Sequence, residues 1–316
     1  MHMRYKRYLL LLLLVLPSMV RLRAQDDTQL SQYWAMPSYY NAGAAGIYEK
    51  LNLRAATRQQ WVGMPGAPKS FLVLADMPLR FLKADHGIGL QLSNDSYGLF
   101  KTTSFGIQYA YKVKLWQLSL GLQLGLISQI FDGTEVFIPE SDYHQQTDDA
   151  IPTSEVQGTA FDVGFGVYYT HKYFYAGLSS THLSQPAISF DENYEGSITR
   201  AYYFIAGGNI PLRNALYEVQ PSMMVKTTFQ MTQAELTLRL RYNRFIWGGL
   251  AYRWNEAIIF MAGCEFKNFL LGYSYDYSTS AIQKASSGSH EVFIGYSMKL
   301  ELSKGKKNKH KSIRIL

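Results

Sequence analysis

The chain has 316 residues, of which 47% are hydrophobic, 15% aromatic and 17% charged, with one cysteine. That aromatic content excludes a disordered chain, and a single cysteine excludes an internal disulfide framework or a four-cysteine zinc site. After residue 24 no uncharged apolar run approaches the roughly 18 residues of a spanning helix, which excludes a helical membrane bundle. The net charge of +7 sits at the ends: five of the 31 Lys and Arg fall in residues 1–24 and six in 304–316, neither stretch holding an acid, leaving 20 basic against 24 acidic residues between. A mildly acidic body gives no electrostatic footprint for nucleic acid.

Residues 1–24 are expected to be an export signal. A basic start (Arg4, Lys6, Arg7) precedes the aliphatic run Leu9 to Leu16, Pro17 ends that run, and Ala24 offers a small residue before Gln25. Eight aliphatic residues are too few to span a bilayer.

The body is written in period two. Leu118, Leu120, Leu122, Leu124 and Leu126 alternate with Ser119, Gly121, Gln123 and Gly125, which puts the leucines on one face of a strand. The rule recurs in Phe161 to Tyr169, Leu236 to Tyr242, Leu271 to Tyr277 and Val292 to Leu300. It predicts fourteen strands, at 51–62, 68–80, 86–95, 101–113, 115–128, 157–170, 173–183, 199–210, 216–229, 232–244, 246–255, 257–267, 269–279 and 288–300. Most reach the roughly 9 to 11 residues with which a tilted strand crosses a bilayer. Long connections at 129–156, 184–198 and 280–287 alternate with tight ones near Lys114, Lys172, Phe245 and Asn268, as in an outer-membrane barrel.

A soluble sandwich would need a charged second face, whereas here that face is mostly Gly, Ser, Thr, Gln and Tyr. The expected fold is therefore an all-β transmembrane outer-membrane barrel of about 14 antiparallel strands, apolar toward lipid and polar within. Closure also removes the sheet edges that would invite aggregation. Trp61, Tyr97, Trp116, Tyr169, Trp247 and Trp254, near strand ends, are expected to form interfacial girdles. The organisation follows: signal 1–24, a periplasmic N-terminal segment 25–50, barrel 51–303 and a basic periplasmic tail 304–316. An even strand number returns both ends to one side.

No motif for nucleotide, zinc-protease or serine-hydrolase chemistry is present, so no enzyme, cofactor or metal is expected. The seven histidines lie far apart, and Cys264 is expected as a small residue on the apolar wall. Acids in the longest loops, Asp132 to Glu155 and Asp191 to Glu195, have no fixed calcium-ligand spacing and suit a solvated surface better. The tail, with Lys304, Lys306 and Lys307, suits either an acidic partner, lipid head groups or simple solubilisation.

Ahead of the first strand come Ser31-Gln32-Tyr33, Pro37 and Asn41-Ala42-Gly43-Ala44-Ala45-Gly46; after it come Arg58-Gln59-Gln60-Trp61-Val62-Gly63 and Gly66-Ala67-Pro68. Together these resemble the PorP/SprF family of type IX secretion system membrane proteins, with Ala42 where that family usually has proline. Pro37, Gly43 and Gly46 independently forbid a long helix or strand, so the segment is expected to be irregular backbone at or inside the barrel mouth.

The resemblance implies a noncatalytic outer-membrane component of protein secretion, gliding-related in some bacteria. It implies partners among the periplasmic ring and peptidoglycan-linked adaptor proteins, and secreted cargo or adhesins bearing a C-terminal secretion domain. Gln32, Tyr33, Pro37, Asn41, Trp61 and Gly63 are then candidate docking residues, beside Lys304, Lys306 and Lys307 of the tail. The rival expectation is an outer-membrane porin or ligand-specific channel, for which inward Asp162, Arg239, Arg241 and Asp276 would line the path.

Overall fold

The computed structural model describes residues 27–48, 50–135, 152, 154–191 and 194–300; the expected signal and basic tail lie outside them. Seventeen strands are present in these residues: β1 (Lys50–Gln59), β2 (Lys69–Phe81), β3 (Ala84–Tyr97), β4 (Phe100–Val113), β5 (Leu118–Asp132), β6 (Glu155–Thr170), β7 (Phe174–Thr181), β8 (Ala187–Asp191), β9 (Tyr194–Ser197), β10 (Ala201–Gly208), β11 (Ile210–Pro211), β12 (Tyr217–Thr227), β13 (Thr232–Tyr242), β14 (Ile246–Arg253), β15 (Ala257–Phe266), β16 (Phe269–Ser278) and β17 (Ser289–Lys299). Antiparallel pairing runs from β1 to β7, then through β10 and β12 to β17, and β17 returns to β1. Fourteen strands thus close a barrel, with two-residue β11 continuing β10 and paired to β12. The seam joins Lys50 to Lys299 and Gln59 to His290.

Alternation decides which side chains meet lipid. Ile107, Leu124 and Val163 lie side by side across β4, β5 and β6, as do Phe105, Leu126 and Phe161, and the exposed members of these rows stand on the outer surface. Such rows of outward apolar side chains around a closed wall are what a bilayer accepts, since neighbouring strands pair their backbone groups within the sheet. No helix among the described residues is long and apolar enough to cross a membrane, which says nothing of strands.

The long connections all open at one end, the long-loop mouth; the opposite, short-turn mouth carries tight links such as Leu82-Lys83 and Lys267-Asn268. Leu82 and Lys83 both adopt the left-handed backbone (φ 49° and 61°) that a two-residue hairpin with right-handed strand twist demands. Within the long 184–198 connection, β8 and β9 form a hairpin. Its Ile188 packs with Ile198 against inward Ile127 at the long-loop mouth.

Two expectations are corrected. Trp247 is not part of an interfacial girdle: it shares the inward parity of β14, is 2% exposed, and meets Trp34 edge-on at 5.0 Å. Trp254, by contrast, stands 66% exposed near its strand end. The second correction concerns the ends. Lys50 and Lys299 do share the short-turn mouth, but the segment before β1 turns back through the barrel, so that Asp27 lies at the long-loop mouth beside Thr181 and Lys226. Strand parity fixes where the wall starts and stops and does not constrain a chain threaded inside it.

Candidate functional site in the filled lumen

Residues 28–46, expected at or inside the mouth, run the length of the lumen as a plug of short 3-10 turns (Tyr33–Ala35, Ala42–Ala44) and a one-turn helix (Pro37–Tyr40). Almost all of them are buried. Proline and glycine interrupt any longer element here, so the backbone's polar groups must find partners in the wall.

Near the long-loop mouth the plug is latched by charge. The backbone N–H groups of Ser31 and Gln32 donate to the two oxygens of Glu291, at 2.7 and 2.9 Å. The Ser31 hydroxyl donates to Asp276 and accepts from Arg58 at 2.9 Å and Arg253 at 2.8 Å. Arg58 bonds Asp276 at 2.7 Å, and Arg253 bonds both Asp276 at 3.0 Å and Glu235 at 2.8 Å. Five charged side chains from five strands, each at most 2% exposed, therefore surround one serine. Buried charges of this kind hold only when mutually paired, which they are.

Halfway down, the Tyr33 hydroxyl bonds Ser222 at 3.0 Å, and Gln108 donates to the Ser38 carbonyl at 2.7 Å and to Gln123 at 2.9 Å. Lower still, the Asn41 side-chain amide donates to the carbonyls of Val167 and Leu178 (3.0 and 3.1 Å) while its oxygen caps Gly43 at 2.9 Å. Such an approach needs a wall without side chains. A Cβ on Gly166 would fall 2.0 Å from the Asn41 Oδ1, and one on Gly121 would fall 2.1 Å from the Gly43 nitrogen.

Just ahead of the plug, Asp27 bonds His182 at 2.6 Å and accepts from Tyr203 and from Thr181 at 3.1 Å. His182 Nδ1 lies 3.0 Å from Asp162, off-line for a hydrogen bond but close enough for ion pairing. Burial works against charge on both groups; for Asp27 the opposing pull of His182 wins and holds its carboxyl well below the usual range. For His182 the two carboxylates likewise prevail over burial and raise it to about 10.

Of the nine candidate docking residues, Gln32, Tyr33, Pro37 and Asn41 are buried plug residues facing the wall rather than a partner. The physical reason is the depth of the plug. Trp61 and Gly63 sit on the long-loop rim, where the 60–68 loop is tied to the 279–288 loop through Val62–Gly288 (2.8 Å). Lys304, Lys306 and Lys307 lie outside the described residues. Arg58 is part of the motif the resemblance rests on, yet its role as a latch was not read from sequence, nor were those of Glu235, Arg253 and Glu291. Their signal was inward parity near the long-loop ends of four strands. Among the described residues no three metal-ligating side chains converge.

The family of type IX secretion system membrane proteins PorP/SprF matches residues 22–296 of this sequence. The chain belongs to that family. Among curated proteins none matches at a significant level. Solved structures similar to this PorP/SprF chain include the KdgM porin (10% identity, 78% of this chain and 99% of that one, TM-score 0.38). CdiB from Acinetobacter baumannii (9%, 78% and 60%, 0.46) and the P. putida toluene transporter TodX (8%, 79% and 90%, 0.43) are also similar. The motifs carrying the family resemblance, Ser31-Gln32-Tyr33, Asn41 to Gly46 and Arg58, are in this PorP/SprF barrel the parts that seat and latch the plug.

Proposed function

We propose that this type IX secretion membrane component resides in the outer membrane of a Gram-negative bacterium as a noncatalytic docking protein and not a conduit. The plug carries the reading: a lumen filled by residues 28–46 and latched by five buried charges suits a rigid scaffold better than a diffusion path. On this reading the short-turn mouth faces the periplasm and meets ring and peptidoglycan-linked adaptor proteins, assisted by the basic tail. The long-loop mouth, with Trp61 and Gly63 on its rim, holds or receives cargo with a C-terminal secretion domain, adhesins in gliding bacteria among them. Energy comes from elsewhere in the system, since the chain carries no nucleotide-binding motif.

The rival reading, a porin or ligand-specific channel, requires the inward Arg239, Arg241, Asp162 and Asp276 to line an open path; instead Arg239 stacks on Trp34 of the plug, Arg241 pairs with Glu265, Asp162 lies beside His182 and Asp276 accepts from Ser31. Purified protein in planar bilayers, paired with a deletion strain, tests the choice. The expected result is no steady open conductance and loss of secreted cargo from the medium on deletion. Steady conductance with unimpaired secretion overturns the docking reading.

A further inference from the structure

Beneath the plug, the short-turn mouth opens into a cavity of about 540 Å³. Its basic side chains include Arg54, Arg239 and Arg241, carried inward by β1 and β13. Arg241 is ion-paired, bonding Glu265 and lying 3.7 Å from Glu218, which engages the two acids of the cavity even though its Nε, like that of Arg239, has no acceptor. Arg239 is not. It is 7% exposed, its guanidinium centre lies 3.3 Å above the Trp34 ring, and its Nε has no protein acceptor. No carboxylate of the described residues comes within 4.0 Å of it. Stacking occupies the flat face of a guanidinium and leaves its N–H donors, which radiate in the plane, to bond an anion. Arg54, 5.7 Å from the Tyr48 ring and within electrostatic reach of Asp76 on β2, makes no ion pair within 4.0 Å. Tyr168, Tyr175, Ile205 and Leu270 supply the larger apolar and aromatic surfaces of the same cavity.

Buried cations are ordinarily paired, and a cavity of this size with few convergent polar groups is the usual form of a small-molecule site. We propose that the vestibule binds an organic anion, its carboxylate or phosphate held by Arg239 with Arg54 nearby and its apolar portion laid along Tyr168, Tyr175, Ile205 and Leu270. This goes beyond the secretion reading and stands or falls independently of it.

Calorimetric titration of the full-length protein in neutral detergent tests the site, using hexanoate and phenyl phosphate with hexanamide and benzyl alcohol as uncharged counterparts. At least one anion binds saturably, its neutral counterpart does not, and Arg239→Met weakens binding at least about tenfold, as loss of a charge-assisted contact implies. The two anions separate carboxylate from phosphate preference. Should Arg239→Met fail to fold, Arg54→Gln on the cavity wall carries the same comparison. Absence of saturable binding by either anion, equal binding of a neutral counterpart, or unchanged affinity in the folded variant overturns the proposal.

Discussion

One serine hydroxyl organises the latch. Ser31 lies between two arginines and Asp276, and its backbone N–H faces Glu291, so a short polar residue ties a threaded segment to strands more than 200 residues away. Replacing Arg58 by methionine removes one of the two cations shared by these carboxylates. Breaking a buried pair from one side costs about 3–5 kcal/mol, so R58M should lower the urea midpoint of the detergent-solubilised protein substantially; a midpoint equal to wild type would mean the cluster is not coupled to folding.

The Asp27–His182 pair adds a pH dependence with a definite sign. The folded imidazole titrates at about 10, above its ordinary value, so its contribution is complete below about pH 6.5 and disappears as pH rises toward 10. The depressed Asp27 carboxyl works at the other end, its contribution present above the ordinary carboxylate range and lost as pH falls below it. The melting-temperature advantage of wild type over His182→Gln should therefore be greatest near pH 5 and vanish by about pH 10. A pH-independent difference would contradict the pairing.

At the scale of elements, plug and wall fit because the wall is bare where the plug comes closest. Gly121→Val places side-chain atoms where the Gly43 nitrogen now sits, 2.1 Å from the Cβ position, and neither backbone can yield without losing its bonds. The variant should keep its β-sheet circular dichroism, since β5 still pairs on both sides, while planar-bilayer recordings gain conductance as the plug is displaced. Silent recordings from a folded variant would show that the plug tolerates the intrusion.

The fourteen wall strands were legible because period-two alternation reports directly which face meets lipid. The irregular character of residues 28–46 was legible too, from Pro37, Gly43 and Gly46. The depth of that segment was not: alternation says that inward residues are polar or small and is silent on what they touch. Trp247 was misread for the same reason, since a tryptophan near a strand end looks alike whether it faces head groups or an aromatic cluster with Trp34 and Phe293. Likewise the inward arginines and carboxylates of β1, β13, β14, β16 and β17 could be recognised singly, but their convergence depends on strand register, which no single strand encodes.

Taken as a whole, the molecule is closed at the long-loop mouth three times over, by the charge latch, by the plug behind it and by the β8–β9 hairpin seated on Ile127. The short-turn mouth instead keeps its vestibule beneath Trp34. That asymmetry separates a surface built for a fixed grip from one with room for an occupant. The threaded plug also bears on how the cylinder comes to exist. Ser31 needs β16 and β17, Tyr33 needs β12, and Asn41 needs β6 and β7, so the earliest part of the chain acts as a mandrel whose contacts are complete only when the final strand zips against the first. Winding the sheet and seating its core are then a single cooperative event, and a truncated chain that lacks the last strand loses hold of its own beginning.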